Sequence, residues 1–221
     1  MSDADRHYLL LGARLSPLNA RRISNFKHNR RGYWSLWIFM ALFLITLPAE
    51  FIANDRPLVV GYNGDLYFPV LNTYPETMFG GDFETEAEYR ESDVQDLIRK
   101  KDGWMIWPLV EYSYNTVNLN LKVPAPAPPS GDNVIGTDDQ GRDVLARVIY
   151  GFRISVLFGL ILTVLGSIIG VVAGAFQGYF GGWLDLLFQR FIEIWGGLPQ
   201  LYILIILSSV IVPGFWTLLL I

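Results

Sequence analysis

Apolar positions in this chain gather into three long runs, with one broad polar stretch between the first and the second. Tyr33–Ala53 reads YWSLWIFMALFLITLPAEFIA, Ile154–Phe176 reads ISVLFGLILTVLGSIIGVVAGAF, and Leu198–Val212 reads LPQLYILIILSSVIV. About 20 residues of helix at about 1.5 Å each cross roughly 30 Å of hydrocarbon, so the first two runs predict membrane spans. The third run is short alone. It predicts a crossing that starts before Gly196-Gly197 and breaks at Gly197-Leu198-Pro199, giving a span over about 184–212. Phe215–Ile221 (FWTLLLI) reads as the start of a fourth span. Seven residues cannot cross, so a longer protein is expected.

Between the first two runs the pattern shortens. Pro57–Leu71 (PLVVGYNGDLYFPVL) places two β-rich runs around Asn63-Gly64, the pair suited to a type I′ hairpin. Thr85-Glu86-Ala87-Glu88 has capping-box form and predicts a helix from about Glu86 to Lys101, ended by Asp102-Gly103. Trp104–Tyr112 is aromatic and apolar and suits pairing with the hairpin. Pro124, Pro126, Pro128 and Pro129 read as a stiff, extended linker. Thr137-Asp138-Asp139-Gln140 repeats the capping-box form. The helix it predicts carries Val144, Leu145, Val148 and Ile149 on one apolar stripe, with Arg142, Asp143 and Arg147 off it, and would lie at a membrane surface or against other helices. The organisation expected is a basic tail (1–31), a first span (32–53), an α+β insert with its linker (54–135), an interfacial helix (136–152) and a helical core (153–221) whose second span covers about 154–176.

Charge gives the runs a direction. Residues 1–31 hold seven Lys/Arg against Asp3 and Asp5, whereas residues 53–150 hold eight Lys/Arg against sixteen Asp/Glu. The basic part flanks the first run, with Arg30 and Arg31 just ahead of Tyr33, Trp34 and Trp37, so the positive-inside rule puts the N-terminus in the cytoplasm and the acidic insert outside. A signal peptide is the rival reading of the first run, but its apolar core would be shorter and a small-residue cleavage site should follow. Pro48 kinks or ends the first helix, leaving Glu50 near the outer interface. The composition, 52% hydrophobic and 14% aromatic in 221 residues with no cysteine, suits a membrane protein and excludes disulfides and thiolate metal sites.

Candidate chemistry is sparse. His7 and His28 stand alone and read as solvated. No P-loop, zinc-protease helix or Ser/His/Asp set is present. Asp138, Asp139 and Asp143 invite a cation-site reading, but EF-hand spacing is absent and caps and turns account for them better; no metal or cofactor site is expected. Gly166, Gly170, Gly174 and Gly178 lie along one side of a helix, which permits close helix approach in lipid or, less simply, substrate contact. Asp185, Arg190 and Glu193 read as paired charges at the cytoplasmic interface, or as the lining of a polar pathway. The acidic insert is either a solvated surface or a field that orients a docking partner. So few basic residues give no case for nucleic acid.

Two segments carry a resemblance. GTDDQGRDVLARVIYGFRISVLFG (Gly136–Gly159) resembles the segment before the second span in permease subunits of bacterial ABC importers for di- and oligopeptides. Its family positions here are Gly136, Thr137, Asp138, Gly141, Arg142, Asp143, Arg147, Tyr150, Gly151 and Arg153. QGYFGGWLDLLFQRFIEIWGGLP (Gln177–Pro199) is similar to the next family signature, with Gly178, Tyr179, Gly181, Gly182, Asp185, Arg190, Glu193 and Pro199 on the cytoplasmic side. FKHNRRGYWSLWIFMALFLI (Phe26–Ile45) also looks like that family's first membrane segment. The resemblance covers about residues 20–60 and 130–215. The long insert, Trp107-Pro108 and the Pro128–Ser130 run resemble the branch that imports microcin C and related peptides.

The resemblance implies an all-α polytopic membrane protein, with the MetI-like fold of type I importer permeases and a small α+β periplasmic insert. It implies a heterodimeric second permease, two ATPase subunits that hydrolyse the ATP, a periplasmic substrate-binding protein and a peptide substrate, in the bacterial inner membrane. The family's Glu-Ala-Ala coupling loop would fall after Ile221. The competing classes are a membrane-anchored sensor whose insert binds a ligand and, with less support, a membrane enzyme, since no nucleophile–base pair is visible.

Overall fold

The helical part of the N-terminal region begins where a proline follows a capping serine. A computed structural model describes residues 9–10, 13–14, 16–212 and 214–220. His7, the charges of Asp3, Asp5 and Arg6, Pro213 and Ile221 lie outside the described residues. Strand β1 (Leu9–Leu10) pairs antiparallel with β2 (Ala13–Arg14). Helix α1 (Pro17–His28) is capped by Ser16, whose Oγ accepts from the Asn19 N–H at 3.4 Å, so much of the basic tail is an exposed helix. Asn29 closes α1 and opens α2 (Arg30–Thr46), accepting from the Gly32 N–H at 3.3 Å. With 17 residues, α2 is about 25 Å long. Pro48 ends it as its chemistry predicts, and a short helix α3 (Ala49–Ile52) follows.

The insert contains a three-stranded antiparallel sheet in the order β4-β3-β5, from β3 (Val59–Tyr62), β4 (Asp65–Tyr67) and β5 (Trp104–Ile106). Asn63 and Gly64 both take positive φ, 54° and 91°, as a type I′ turn demands, and set the register Val60 to Tyr67 and Tyr62 to Asp65. The β5 strand joins on the other side of β3, with Gly61 opposite Trp104, so the aromatic run does pair with the hairpin. Helix α4 (Ser92–Arg99) presents Val94 and Ile98, one turn apart, to a cluster of Val60, Tyr62, Phe79, Ala87 and Tyr89. The Phe79 ring meets Tyr62, Tyr67 and Tyr89 edge-on at 5.4–5.6 Å between centroids.

The expected capping box at Thr85 does not form. Glu86 pairs with Pro75 in a β-bridge and the Ala87 N–H bonds to the Tyr74 carbonyl. That hydrogen bonding holds residues 85–88 extended and delays the helix to Ser92. The proline run is not a free spacer either. The Ala127 carbonyl accepts from the Thr137 N–H at 3.0 Å, and the Ala127 N–H donates to Thr137 Oγ1 at 2.9 Å.

The chain divides into two compact units, residues 1–153 and 154–221. Helix α5 (Val144–Phe180) runs for 37 residues, about 55 Å, well beyond a hydrocarbon thickness of about 30 Å. The expected interfacial helix over 136–152 and the expected second span are therefore not separate: 136–143 is loop, and one unbroken helix serves the rest. Neither Gly151 nor Arg153 removes a backbone donor, so nothing interrupts the hydrogen-bond ladder. Gly181 and Gly182, with φ of 57° and 58°, end it. Helices α6 (Gly182–Gly196), α7 (Gln200–Val210) and α8 (Phe215–Leu220) follow. The first two are bent by 77° at the predicted Gly197–Pro199 break. Among the described residues, Val144–Phe180 is the one single helix long and apolar enough to cross a membrane; the bent pair passes the same test taken together.

Candidate functional site

The residues that carry the family resemblance converge where the loop 133–143 feeds α5. Asp143 is fully buried. One carboxylate oxygen accepts from the Ala146 N–H at 2.7 Å, the N-cap bond of the helix, and the other accepts from Asn133 Nδ2 at 2.8 Å. Asn133 Oδ1 in turn accepts from Asn118 Nδ2 at 2.9 Å. This buried chain of three side chains joins the end of the insert, the loop and the helix start, and a polar network inside protein is stabilising only when its members are satisfied, as these are. Thr137, expected as the cap, instead faces the proline run. The expected box fails because Thr137 pairs with Asp143 across a tight loop, as isolated β-bridge partners, which moves the helix cap six residues on, to Asp143. Gly136 sits at φ 90°, and a Cβ there would come within 2.5 Å of the Ala127 carbonyl oxygen, so the loop closes only on glycine.

Asp138 holds the outer turn of that loop. Its carboxylate accepts from the Gln140 and Arg142 N–H groups, each at 2.9 Å, from Arg142 Nε at 2.8 Å, and from the Arg147 guanidinium. Desolvation alone would raise its pKa, but the Arg142 and Gln140 hydrogen bonds outweigh it and hold the carboxyl at about 2, below the ordinary 3.8. Asp138 and Asp143 thus serve turn and cap. Asp139 is exposed. No group of His, Cys, Asp and Glu able to hold a metal occurs among the described residues.

The first turns of α5 then pack on α3. Ala49, Ala53 and Ala146 have no exposed surface and, with Val110, Tyr112 and Tyr150, form the second buried cluster. Ala49 and Ala53, one turn apart at the two ends of α3, are both fully buried in this cluster. Leu145 and Ile149 pack against this cluster while Val148 is exposed, so the buried stripe is rotated from the one expected. Tyr150 Oη donates to the Ala53 carbonyl at 2.9 Å, and burial pushes its pKa up. Arg153 grips Glu50 with both Nη atoms at 2.7 and 2.8 Å.

The sequence singled out Asp143, Tyr150 and Arg153 but not their partners Asn118, Asn133, Ala49, Ala53 and Glu50. The one-turn alanine spacing was a usable signal. Nothing local marks the two asparagines, which stand in loops.

Gly141, at φ 78°, also belongs to the junction, its carbonyl accepting from the Asn118 N–H at 2.9 Å, whereas the remaining expected positions are not brought to it. Gly151 is exposed. A Cβ at Gly166, Gly170, Gly174 or Gly178 would meet nothing within 4 Å, so the glycine side of α5 is bare. Tyr179 is exposed. Arg190 pairs with Glu193 at 2.6 Å, as their spacing predicted, and Asp185 accepts from Gln189 at 3.3 Å. Pro199 sits at the head of α7.

No protein-family model matches the chain. It is similar to a protein named peptidoglycan transport system permease protein YejE from Agrobacterium fabrum, 52% identical over 92% of this chain and 59% of the relative. It is also similar to the inner membrane ABC transporter permease protein YejE of Escherichia coli, 51% identical over 94% of this chain and 60% of the relative. The dipeptide transport system permease protein DppC of Haemophilus influenzae is 43% identical over 37% of this chain and 28% of its own length. The chain thus spans about 60% of the length of the two relatives matched over most of it. The relatives named as dipeptide or oligopeptide permeases match 37–48% of this chain.

Proposed function

We propose that this chain is part of a permease subunit of an ATP-binding cassette importer that moves peptides from the periplasm to the cytoplasm. The observation that carries the reading is the identity of just over one half to two permease proteins across more than nine-tenths of this chain. The bare glycine side of α5 and the exposed apolar helices beyond it support it physically, because such surfaces need lipid or other helices around them.

In this reading the chain sits in the bacterial inner membrane with its N-terminus in the cytoplasm. Its spans lie at about 32–53, 154–176 and 184–212, with a fourth beginning at 215. The α+β insert is periplasmic. The chain builds half of a translocation path with a second, different permease. Two ATPase subunits supply the energy, so this chain itself performs no hydrolysis, and a periplasmic substrate-binding protein delivers a peptide of the microcin C kind. Gly166, Gly170, Gly174 and Gly178 then form a helix-packing stripe, and Gly178–Pro199 the cytoplasmic-side motif. The bundle alternates between outward- and inward-facing states by rigid-body movement.

The test is purification of the tagged protein from its native membrane, followed by identification of what accompanies it. A second permease and two ATPases in fixed ratio are expected. A stable protein recovered alone, in mild detergent, counts against the proposal.

A further inference from the structure

Pro48 creates a defect at the end of α2 that the long helix repairs. In an unbroken helix the Phe51 N–H would bond to the Leu47 carbonyl. Here it bonds to the Pro48 carbonyl at 3.0 Å, which leaves the Leu47 carbonyl without that helical partner. Arg153 Nη1 donates to that carbonyl at 3.0 Å. The same guanidinium forks onto Glu50, and it lies 5.0 Å over the Tyr150 ring. Three residues earlier on the same helix face, Tyr150 caps the Ala53 carbonyl. One face of α5 thus satisfies the loose carbonyls at both ends of α3, across roughly 100 residues of sequence.

The insert is tied to the same short helix. The Val110 N–H bonds to the Ile52 carbonyl at 2.9 Å, and the Asn54 N–H to the Val110 carbonyl at 3.0 Å. Thr116 donates to Asp55 at 2.6 Å, and Asn118 enters the buried network that ends on Asp143. Ala49, Ala53 and Ala146 share one buried cluster with Val110 and Tyr112 of the insert.

We infer that Glu50 and Arg153 form a latch that makes the insert, α3 and the first turns of α5 one mechanical body. A load applied to the insert, by whatever docks there, then reaches the long helix. A bidentate guanidinium–carboxylate pair suits this role because it fixes orientation as well as distance. The Arg153 side chain is 19% exposed and that of Glu50 43%, so the pair is only partly screened. The inference goes beyond the permease reading and stands or falls without it.

This chain has no cysteine, and any cysteine in the rest of the full protein is replaced by serine before labelling. Spin labels are placed at Leu66→Cys on the hairpin and Val148→Cys on α5, both exposed, in the full protein in lipid nanodiscs. Pulsed electron–electron resonance then reads the distance distribution. A narrow distribution is expected for the parent. Glu50→Arg and Arg153→Glu should each at least double its width, Glu50→Gln should fall between, and the swap Glu50→Arg/Arg153→Glu should recover half or more of the narrowing. Single variants as narrow as the parent overturn the latch. So does a swap as broad as the single variants, because recovery is what separates a paired latch from general damage to the fold. Neither outcome depends on whether ATPase subunits accompany the protein.

Discussion

Residues 1–153 bury two apolar clusters and join segments as far as 106 positions apart through side-chain hydrogen bonds. In residues 154–221 the described side-chain hydrogen bonds reach no further than four positions, and no described residue is buried. An edge-on contact of Phe158 with Phe215, at 5.6 Å, is a rare long-range tie there. The two regions are not more and less folded versions of one design. Helix α2 apart, whose Trp34, Trp37, Ile38 and Ile45 are themselves exposed, the first joins its segments through buried clusters and long-range hydrogen bonds. The second leaves Ile168, Ile169, Val171, Leu187 and Ile205 more than half exposed, which in water would be an aggregation hazard and in a bilayer with neighbouring helices is an ordinary surface. Single substitutions should therefore act strongly in the first region and weakly in the second when stability is the readout.

The largest effect is expected at Asp143. Asp143→Ala removes a helix cap, about 1 kcal/mol, and leaves the buried Asn133 amide without its acceptor, about 1–3 kcal/mol, for a loss of about 2–4 kcal/mol. Thermal unfolding in detergent should show it, with faster hydrogen exchange at the Ala146 amide. A variant as stable as the parent would break the contrast between the regions.

Asp138 gives a smaller and pH-dependent effect. Its folded pKa of about 2 lies below the ordinary 3.8, so its contribution is fully present above about pH 4 and is lost as the pH falls toward 2. Allowing for solvent screening near the surface, the amount is on the order of 1 kcal/mol. Asp138→Asn should flatten the acid side of the stability profile by that much, and an unchanged profile would show that the two backbone N–H donors and two guanidinium groups around it do not act together.

The smallest effect belongs to the second region. The Arg190–Glu193 pair is well exposed, 75% and 61% by side chain, and Glu193→Gln should change thermal stability by less than about 0.5 kcal/mol. A larger loss would mean that the pair faces a partner and is dehydrated in the assembled protein.

Legibility in the sequence followed how local the cause was. Asn63-Gly64 announced its hairpin, Pro48 its helix end, and Arg190 its partner three residues on, because each depends on residues within a few positions. Thr85 and Thr137 misled for a related reason. A capping box describes only what four residues can do, and in both places the backbone found hydrogen-bond partners ten or more positions earlier, at Tyr74 for the first and Ala127 for the second. The partnerships of Asn118, Asn133 and Glu50 were invisible, since they depend on groups 10 to 103 positions away.

The sequence by itself determined the apolar runs, the break at Gly197-Leu198-Pro199, the polarity of the two flanks, and the resemblance carried by Gly136–Gly159. Hydrophobic periodicity and backbone restriction are properties of short segments and survive without a fold. Only the tertiary structure decided where α5 begins, which face it buries, and that Arg153 and Tyr150 repair the carbonyls left open around Pro48. Those outcomes depend on burying polar groups only where a partner waits, and the partner is supplied by a part of the chain that no local window contains.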